Sequence, residues 1–507
     1  MIGGNLDVSN YFIKEFFGSI DKIHQVRFTF ATLYIDIELV GATLEEHARE
    51  FVNQVFKELR LKGKSPIFSM SIFSLPNSAT CRVENVKTFL NILVEETDKL
   101  GVPIVGGHTV ESKDFIYTLV FVEISHDEIQ FLGFKENKSF FTGLINYSLL
   151  PFLKDRLIFP GEAQGCTAKC SPDKFAEIIN CAITKLDVQK FSNLHVNEDV
   201  VVYNLDNDCS VAFTVDIIKP ISNSAPLFGE IAINHAANDL YAKGIFPKGA
   251  VGVLYSNHAI QPNVLEKIKN GGKKKVKKLS AKYLGIYGIE ARELFYGGVF
   301  YGVLRRKEFI ENSSVKEGDL LILTKPIGTG VVSRYLTLKS FDLSKKENMA
   351  YSHMIKNMLL SGSRMARIIK KFKVSACTDV SGFGLIGHLK EMIQPVNLSA
   401  RIWLKNVLFL SHAFDFYSSS VYCSVERNRN YFSKDVFITG SLNTNLSEMK
   451  LALLYDAQTA GGMMIAAPKV EARKILRLSE KFCIESTIIG EIIKKKQFPI
   501  EVDCRDT

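Results

Sequence analysis

An internal repeat constrains the fold of this 507-residue chain more than any other feature of its sequence. Residues 32–76 align with residues 214–255, and both ranges read as strand, loop, helix, glycine, proline, strand. In each range an acidic residue of the first strand lies 22 or 23 residues before an acidic residue of the helix, and a proline follows 8 residues later. These positions are Asp36, Glu58 and Pro66 in the first range, and Asp216, Asp239 and Pro247 in the second. Two matching sets of elements predict two copies of one α/β unit.

The alignment extends beyond these ranges and defines the expected domains. "VGGHTVE" at 105–111 falls on "LGIYGIE" at 284–290, and an aromatic-rich strand follows each segment. The helix of the first copy has an apolar stripe on one face, formed by Leu44, Ala48, Phe51, Val52, Val55, Phe56 and Leu59. Gly63 and Gly244 are expected to end the two equivalent helices. We predict three domains: a first copy at 1–145, a second copy at 160–312, and a different domain at 315–507.

Composition and charge exclude several classes of protein. The hydrophobic fraction of 46% is that of an ordinary globular protein, and no apolar run approaches the length of a membrane span. Much of the net charge of +9 comes from the lysine-rich segment 269–282, which is typical of a solvated helix face rather than a nucleic-acid site. The nine cysteines include only one close pair, Cys166 and Cys170, which is too few for a four-ligand zinc site. We therefore expect a cytoplasmic protein with neither a membrane nor a nucleic acid as partner.

A small-residue loop between the copies holds a candidate nucleophile. In "GEAQGCTAKC", Cys166 and Lys169 lie three residues apart, and a nearby cation favours the thiolate form of a cysteine. A flexible loop could carry both groups over a substrate. On the local pattern alone, a buried cysteine beside a surface lysine is the more frequent arrangement.

Four aspartates adjoin apolar segments where ligand sites often form: Asp199, Asp216, Asp239 and Asp379. Converging carboxylates are the oxygen ligands that Mg²⁺ prefers, and Mg²⁺ neutralises the phosphates of a nucleotide. Any one of them alone would more often cap a helix or close a turn. "GFGLIG" at 382–387 has dinucleotide-like spacing, but no ribose-binding acid follows it in a parallel unit, so we reject a Rossmann interpretation.

The segment "GGHT" raises a similar choice. Gly106, Gly107, His108 and Thr109 lie between an apolar run and a polar stretch, as in a loop that binds phosphate through backbone N–H groups. A tight turn between strands is the alternative.

Several long motifs occur in a characteristic order over residues 160–500. They are "GCTAK", "EDVVVYNL", "FTVDIIKPI", "NDLYAKG", "LLILTKPIGTG", "ACTDVSGFGLIGHLKEM" and "LLYDAQTAGGMMIAAP". In these motifs the chain resembles the selenophosphate synthetase (selenide, water dikinase) family, of the aminoimidazole ribonucleotide synthetase-like superfamily. The resemblance implies an α/β (α+β two-layer) fold: an N-terminal domain that forms a barrel by pairing with a dimer mate, here duplicated, and an α/β C-terminal domain.

The resemblance also implies a reaction and its participants. ATP, selenide and water give selenophosphate, AMP and phosphate, with Mg²⁺ required; K⁺ and a selenium-delivery protein are further partners to expect. By position, Cys166 resembles the residue that handles selenium, and Lys169 the lysine near the transferred phosphoryl group. The implied metal ligands are Asp199, Asp239 and Asp379. The implied nucleotide-binding residues are Lys169, Val196, Asn197, Glu198, Asp216 and Asp239, with Gly106, Gly107, His108 and Thr109.

Departures from the family pattern fall in complementary places in the two copies. The second copy has GIYG where the family has a GGH loop, and His235 where an asparagine is usual. The first copy keeps GGHT, but Glu58 and Gln54 replace the metal aspartate and the helix asparagine. We therefore hypothesise that the two copies form a pseudo-dimer within one chain and share one composite ATP site. The sequence leaves open whether whole chains associate.

Two other functions fit the same motifs. The departures at GIYG and His235, together with the changed segment "SVERNRN" at 424–430, suit a nucleotide-binding regulatory homologue that has lost activity. A kinase of another small nucleophile would use the same phosphate-binding residues.

Overall fold

The computed structural model describes most of the chain outside the segment between the two copies. The described residues are 12–19, 25–35, 42–76, 83–125, 157, 164–169, 172, 191, 200–257, 259–305, 308–312, 314–338, 343–417, 423–442 and 444–505. Four residues with implied ligand roles, Val196, Asn197, Glu198 and Asp199, lie outside these ranges.

The first copy is a five-stranded sheet covered by two helices. Its elements are β1 (Phe12–Ser19), β2 (Gln25–Ile35), α1 (Ala42–Leu61), β3 (Phe68–Pro76), α2 (Val83–Lys99), β4 (Ile104–Ser112) and β5 (Phe115–Ser125). The strand order is β1-β2-β5-β3-β4, and β3 and β4 are parallel. The predicted apolar stripe of α1 is buried against this sheet together with α2. Gly63 follows the helix with a φ of 64°, a conformation that favours glycine.

The second copy has the same architecture. Its elements are β6 (Val201–Asn204), β7 (Cys209–Ile218), α3 (Ala225–Ala236), α4 (Asn238–Ala242), β8 (Pro247–Ser256), α5 (Pro262–Lys278), β9 (Lys282–Glu290) and β10 (Phe295–Arg305). The strand order β6-β7-β10-β8-β9 repeats that of the first sheet, and the equivalent strands β8 and β9 are again parallel. The duplication expected from the sequence is confirmed.

The two sheets stack face to face around a shared aromatic core. Phe30 of the first copy stacks on Tyr287 of the second, with ring centroids 4.7 Å apart. The Thr32 hydroxyl lies 3.1 Å from the Tyr287 hydroxyl, and the Thr118 hydroxyl lies 3.2 Å from that of Tyr255. Among the described residues, each strand pairs only within its own sheet. The expected barrel is therefore two stacked sheets rather than a closed ring of strands.

The third unit is a mixed sheet with helices. Its strands are β11 (Leu320–Leu323), β12 (Ala376–Asp379), β13 (Ser399–Trp403), β14 (Val436–Thr439), β15 (Met463–Ala467), β16 (Thr487–Ile493) and β17 (Ile500–Asp503). Its helices are α6 (Thr329–Leu338), α7 (Lys345–Leu359), α8 (Ser363–Ile369), α9 (Gly384–Ile393), α10 (Cys423–Phe432), α11 (Asn445–Leu453) and α12 (Lys469–Lys481). The seven strands are ordered β12-β15-β11-β16-β13-β17-β14. One apolar core joins this unit to α3 and α4 of the second copy.

The lysine-rich segment lies largely on α5, as the charge pattern predicted. Lys274 and Lys278 form ion pairs of 2.8 Å with Glu230 on α3. Lys275 is buried instead and donates to the Leu359 carbonyl at 2.7 Å. In the part of the chain that the structure describes, no helix is both long and apolar enough to cross a bilayer.

Candidate functional site

The GGHT segment is part of strand β4, not a loop or a turn. Gly107 lies opposite Ser71 of β3, and a β-carbon on Gly107 would come 2.1 Å from the Ser71 carbonyl oxygen. A β-carbon on Gly106 would instead meet a methyl group of Val201, in the second copy, at 3.0 Å. The prediction of a phosphate-binding loop was wrong about the backbone conformation, which is extended at these residues. The two glycines instead allow close approach, Gly107 to β3 and Gly106 to the second copy.

His108 of the first copy contacts the second copy. Its Nδ1 lies 2.8 Å from Oδ1 of Asp216, on β7, and both side chains are about 10% exposed. β4 is the edge strand of its sheet, and Val110 forms an isolated bridge with Lys169 on its outer side. Thr109 is buried beside these residues. The first copy therefore reaches both the Cys166 loop and a predicted nucleotide-site aspartate.

His235 lies between Asp216 and the candidate nucleophile, Cys166. It lies near the end of α3, and its Nε2 is 2.9 Å from Asp216 Oδ2 and 3.0 Å from Cys166 Sγ. Burial alone would raise the pKa of Asp216, but the charges of His108 and His235 outweigh it and hold that pKa well below its usual range. The result is a continuous row of side chains: His108, Asp216, His235 and Cys166.

The loop that holds Cys166 is fixed mainly by the C-terminal domain. Cys166 opens a short 3-10 helix, Cys166–Ala168, and its backbone N–H donates to Thr459 Oγ1 at 3.0 Å. The Arg427 guanidinium donates to the carbonyl oxygens of Thr167 and Lys169 at 3.0 and 2.7 Å. Since charge-assisted hydrogen bonds are strong, these contacts hold residues 166–169 against the C-terminal domain.

Lys169 lies at the meeting point of the three units. Its Nζ lies over the Phe383 ring, 4.8 Å from the centroid, and a β-carbon on Gly382 would lie 2.6 Å from its Cδ. Both of these residues belong to the "SGFG" segment that follows Asp379. The Lys169 side chain is thus directed along the C-terminal domain rather than into bulk solvent.

Two of the three predicted metal ligands are described, and both are buried. Asp239 Oδ2 accepts a hydrogen bond from Thr214 at 2.6 Å. Asp379 ends β12, against which α4, the helix that carries Asp239, packs. Within the described ranges, no three His, Cys, Asp or Glu side chains are placed to hold a metal ion. Two buried carboxylates on packed elements are nevertheless hard oxygen donors that suit Mg²⁺, and Asp199 lies outside the described residues.

A buried lysine near Asp379 was missed by motif reasoning. Lys325 donates to the carbonyl oxygens of Leu360 and Ala460, each at 2.8 Å. Burial, with help from Lys275, lowers the pKa of Lys325 to about 7 against the opposing charge of Asp379. Lys325 belongs to "LLILTKPIGTG", so the motif contained the signal, although nothing local indicated that the side chain would be buried.

Family models cover the repeat and the C-terminal domain. The N-terminal domain of the AIR synthase related proteins matches residues 21–123 and 197–304, and the C-terminal domain of the same proteins matches residues 316–503. These ranges include more than half of the chain and correspond to the two stacked sheets and the mixed sheet.

Comparison with individual relatives identifies the family more specifically. Selenide, water dikinase of Campylobacter jejuni (strain RM1221) is 34% identical over 339 residues, which are 66% of this chain and 95% of the relative. The chain belongs to the selenide, water dikinase family. The selenide, water dikinase of Aliarcobacter butzleri is 32% identical over 337 residues, which are 66% of this chain and 94% of that enzyme. These two alignments leave about a third of this chain uncovered.

Thiamine monophosphate kinase from Aquifex aeolicus superposes with a TM-score of 0.43 and 15% identity, covering 59% of this chain and 89% of that protein.

Proposed function

We propose that this chain makes selenophosphate from ATP, selenide and water, releasing AMP and phosphate at one composite site between its two copies. Membership of the selenide, water dikinase family supports the reaction. The 2.8 Å contact between His108 of the first copy and Asp216 of the second carries the composite-site part of the proposal. It joins the GGHT strand to the residue that the resemblance assigns to the nucleotide.

Each group has a defined task in this proposal. Phosphoryl transfer needs alignment and charge neutralisation more than covalent chemistry by the protein. Mg²⁺, held by Asp239 and Asp379 with Asp199, would supply charge neutralisation at the phosphates. Lys169 contributes a positive charge beside the transferred group, and Cys166 holds selenium. Val196, Asn197 and Glu198 complete the proposed nucleotide site.

The finer parts of the proposal concern boundaries and surroundings. We place the domains at 1–145, 160–312 and 315–507, as the repeat indicates. We further propose a cytoplasmic enzyme that acts as a pseudo-dimer, uses K⁺ as a second cation and receives selenium from a delivery protein.

The duplication provides matched variants for the test. Asp239 and Glu58 occupy equivalent positions in the two copies, but Glu58 pairs with Lys62 on the surface of α1, 2.8 Å away. We expect Asp239→Asn to lower the rate of selenophosphate formation at least about a hundredfold, and Glu58→Gln to leave it within about twofold. Phosphorus NMR of the purified chain with ATP, Mg²⁺ and selenide measures both.

His108→Ala tests the composite site separately. Gly107 is unsuitable for this purpose, because any β-carbon there would collide with β3. We expect weaker binding of a non-hydrolysable ATP analogue, by about tenfold, since the first copy then loses its contact with Asp216. Unchanged binding and turnover would contradict a shared site. ATP binding without any selenide-dependent product would favour the regulatory homologue, and phosphorylation of another nucleophile would favour the alternative kinase.

A further inference from the structure

His235 is the departure from the family pattern that the structure explains best. The family usually has an asparagine at this position, so loss of activity was one interpretation of the change. Instead, the imidazole is 2% exposed and lies between Asp216 and Cys166, with its Nε2 at 2.9 and 3.0 Å from their side-chain atoms. The substitution places a second titratable group directly against the candidate nucleophile.

The proton on Nε2 follows from the chemistry of its neighbours. An ionised carboxylate only accepts hydrogen bonds, so the ring nitrogen that faces Asp216 must carry the proton. The same nitrogen lies 3.0 Å from Cys166 Sγ, so its one proton is shared between the two neighbours and the sulfur also acts as an acceptor. A thiolate is a much stronger acceptor than a thiol, so this geometry suits a negatively charged sulfur. We propose that His235 is a positioning residue that holds Cys166 as a thiolate through a charge-assisted hydrogen bond, and that Asp216 fixes the ring.

The charges around the ring support an imidazolium. Burial disfavours charge on His235, but Cys166 and Asp216 outweigh it and raise the pKa of His235 well above its usual range. Its Nδ1 is buried and has no hydrogen-bond partner among the described residues. An imidazolium carries a proton on that nitrogen too, so the interactions on the Nε2 side also have to outweigh the cost of this unpaired donor. An asparagine amide could donate a hydrogen bond to the same atoms, but it would bring no positive charge.

Within the described ranges, the other elements that pack on α3 bring no further charge to this ring. Lys274 and Lys278 of α5 reach α3 at Glu230 instead. From β10, Gly298 packs near Ile233, and from α7 the Met358 carbonyl accepts from Asn234. Asp239 of α4 follows His235 by four residues and accepts from Thr214. Among the described residues, the titratable groups whose charges act on His235 are therefore Asp216 and Cys166, and His108 lies beyond Asp216.

The consequence is specific to the proposed function, on which this inference rests. Cys166 is only 5% exposed, and an isolated buried thiolate is unfavourable. An adjacent imidazolium offsets this cost, so under this proposal selenium meets a thiolate rather than a thiol.

The thiolate can be measured without ATP or selenide. The absorbance of the whole chain near 240 nm, minus that of Cys166→Ser, reports the ionised fraction of this one cysteine as a function of pH. At pH 6 we expect the thiolate fraction to be at least about tenfold larger in the natural chain than in His235→Asn. His235→Asn is the matched variant because it restores the usual family residue and can keep a hydrogen bond to Asp216.

Two results would overturn the inference. One is an equal thiolate fraction in the natural chain and in His235→Asn. The other is an equal absorbance at 240 nm in the natural chain and in Cys166→Ser at pH 7, a comparison that needs no variant at position 235. Neither depends on turnover. A failure to form selenophosphate, with the thiolate present, would refute the proposed function and leave the His235–Cys166 pair intact.

Discussion

Phe68 tests how strongly the two stacked sheets hold each other. Its side chain on β3 is fully buried and lies against three aromatic rings of the second copy. Their centroids are 5.3 Å (Phe191), 5.9 Å (Tyr203) and 5.2 Å (Phe213) away. Phenylalanine-to-alanine changes in cores cost about 3–5 kcal/mol, because strands on both sides of the cavity cannot collapse into it. Since the three neighbouring rings also lose their aromatic partner, we expect Phe68→Ala to lower the free energy of unfolding by about 4 kcal/mol.

The assay needs a probe for each part of the chain. Urea unfolding followed by far-UV circular dichroism reports all three units, whereas the fluorescence of the single tryptophan, Trp403 on β13, reports the C-terminal domain. Phe89→Ala is the matched control. Phe89 is equally buried, but its aromatic partners, Phe115 and Tyr117 at 5.9 and 5.6 Å, belong to the first copy.

The two variants should differ in function rather than in size of destabilisation. Both create a phenyl-sized cavity, but only Phe68→Ala loosens the packing that positions β4 against the second copy. We therefore expect ATP-analogue binding to weaken in Phe68→Ala and to persist in Phe89→Ala under folding conditions. A stability loss below about 1 kcal/mol in Phe68→Ala, or equal effects on binding, would refute the reasoning.

Two further predictions concern the backbone of β4 and a buried charge. Gly107→Ala should lower the melting temperature by several degrees more than Gly106→Ala. The β-carbon at 107 would lie 2.1 Å from a backbone oxygen, whereas the β-carbon at 106 would lie 3.0 Å from a methyl group. Equal melting temperatures would show that the backbone of β3 can move to relieve the clash. Burial lowers the pKa of Lys325 to about 7, so the folded state binds fewer protons than the unfolded state above that pH. Stability should therefore rise by up to about 1.4 kcal/mol per pH unit between about pH 7 and 10. Lys325→Met should remove this slope in urea titrations, and an unchanged slope would assign it to another group.

Local patterns were sufficient for the repeat and for most of its elements. The strand alignment of GGHT with GIYG is confirmed by the register, since His108 pairs with Ile72 and Tyr287 with Val253 at equivalent positions of their sheets. The apolar stripe of α1 and the glycine after it were also readable, because both depend on residues within a few turns of each other.

The assembly of the site depended on contacts that no local pattern encodes. Cys166 and His235 are 69 residues apart, and His108 meets Asp216 only because two sheets stack. In isolation, His235 was a departure from a motif, and its meaning changed once its neighbours were known. The extended conformation of GGHT was missed for a related reason: glycines suit a turn as well as a crowded strand, and only the position of Ser71 decides between them.

The equivalence of β4 and β9 has a consequence for how substitutions accumulate. In an assembly of two identical chains, every substitution appears on both sides of the interface. Here the same structural position occurs twice in one chain, as His108 on β4 and as Tyr287 on β9, and the two residues make different contacts. His108 stays polar and faces Asp216, whereas Tyr287 stacks on Phe30 at 4.7 Å and so helps to bind the copies together. Joining the copies in one polypeptide thus lets one position contact Asp216 while its counterpart packs the two copies together.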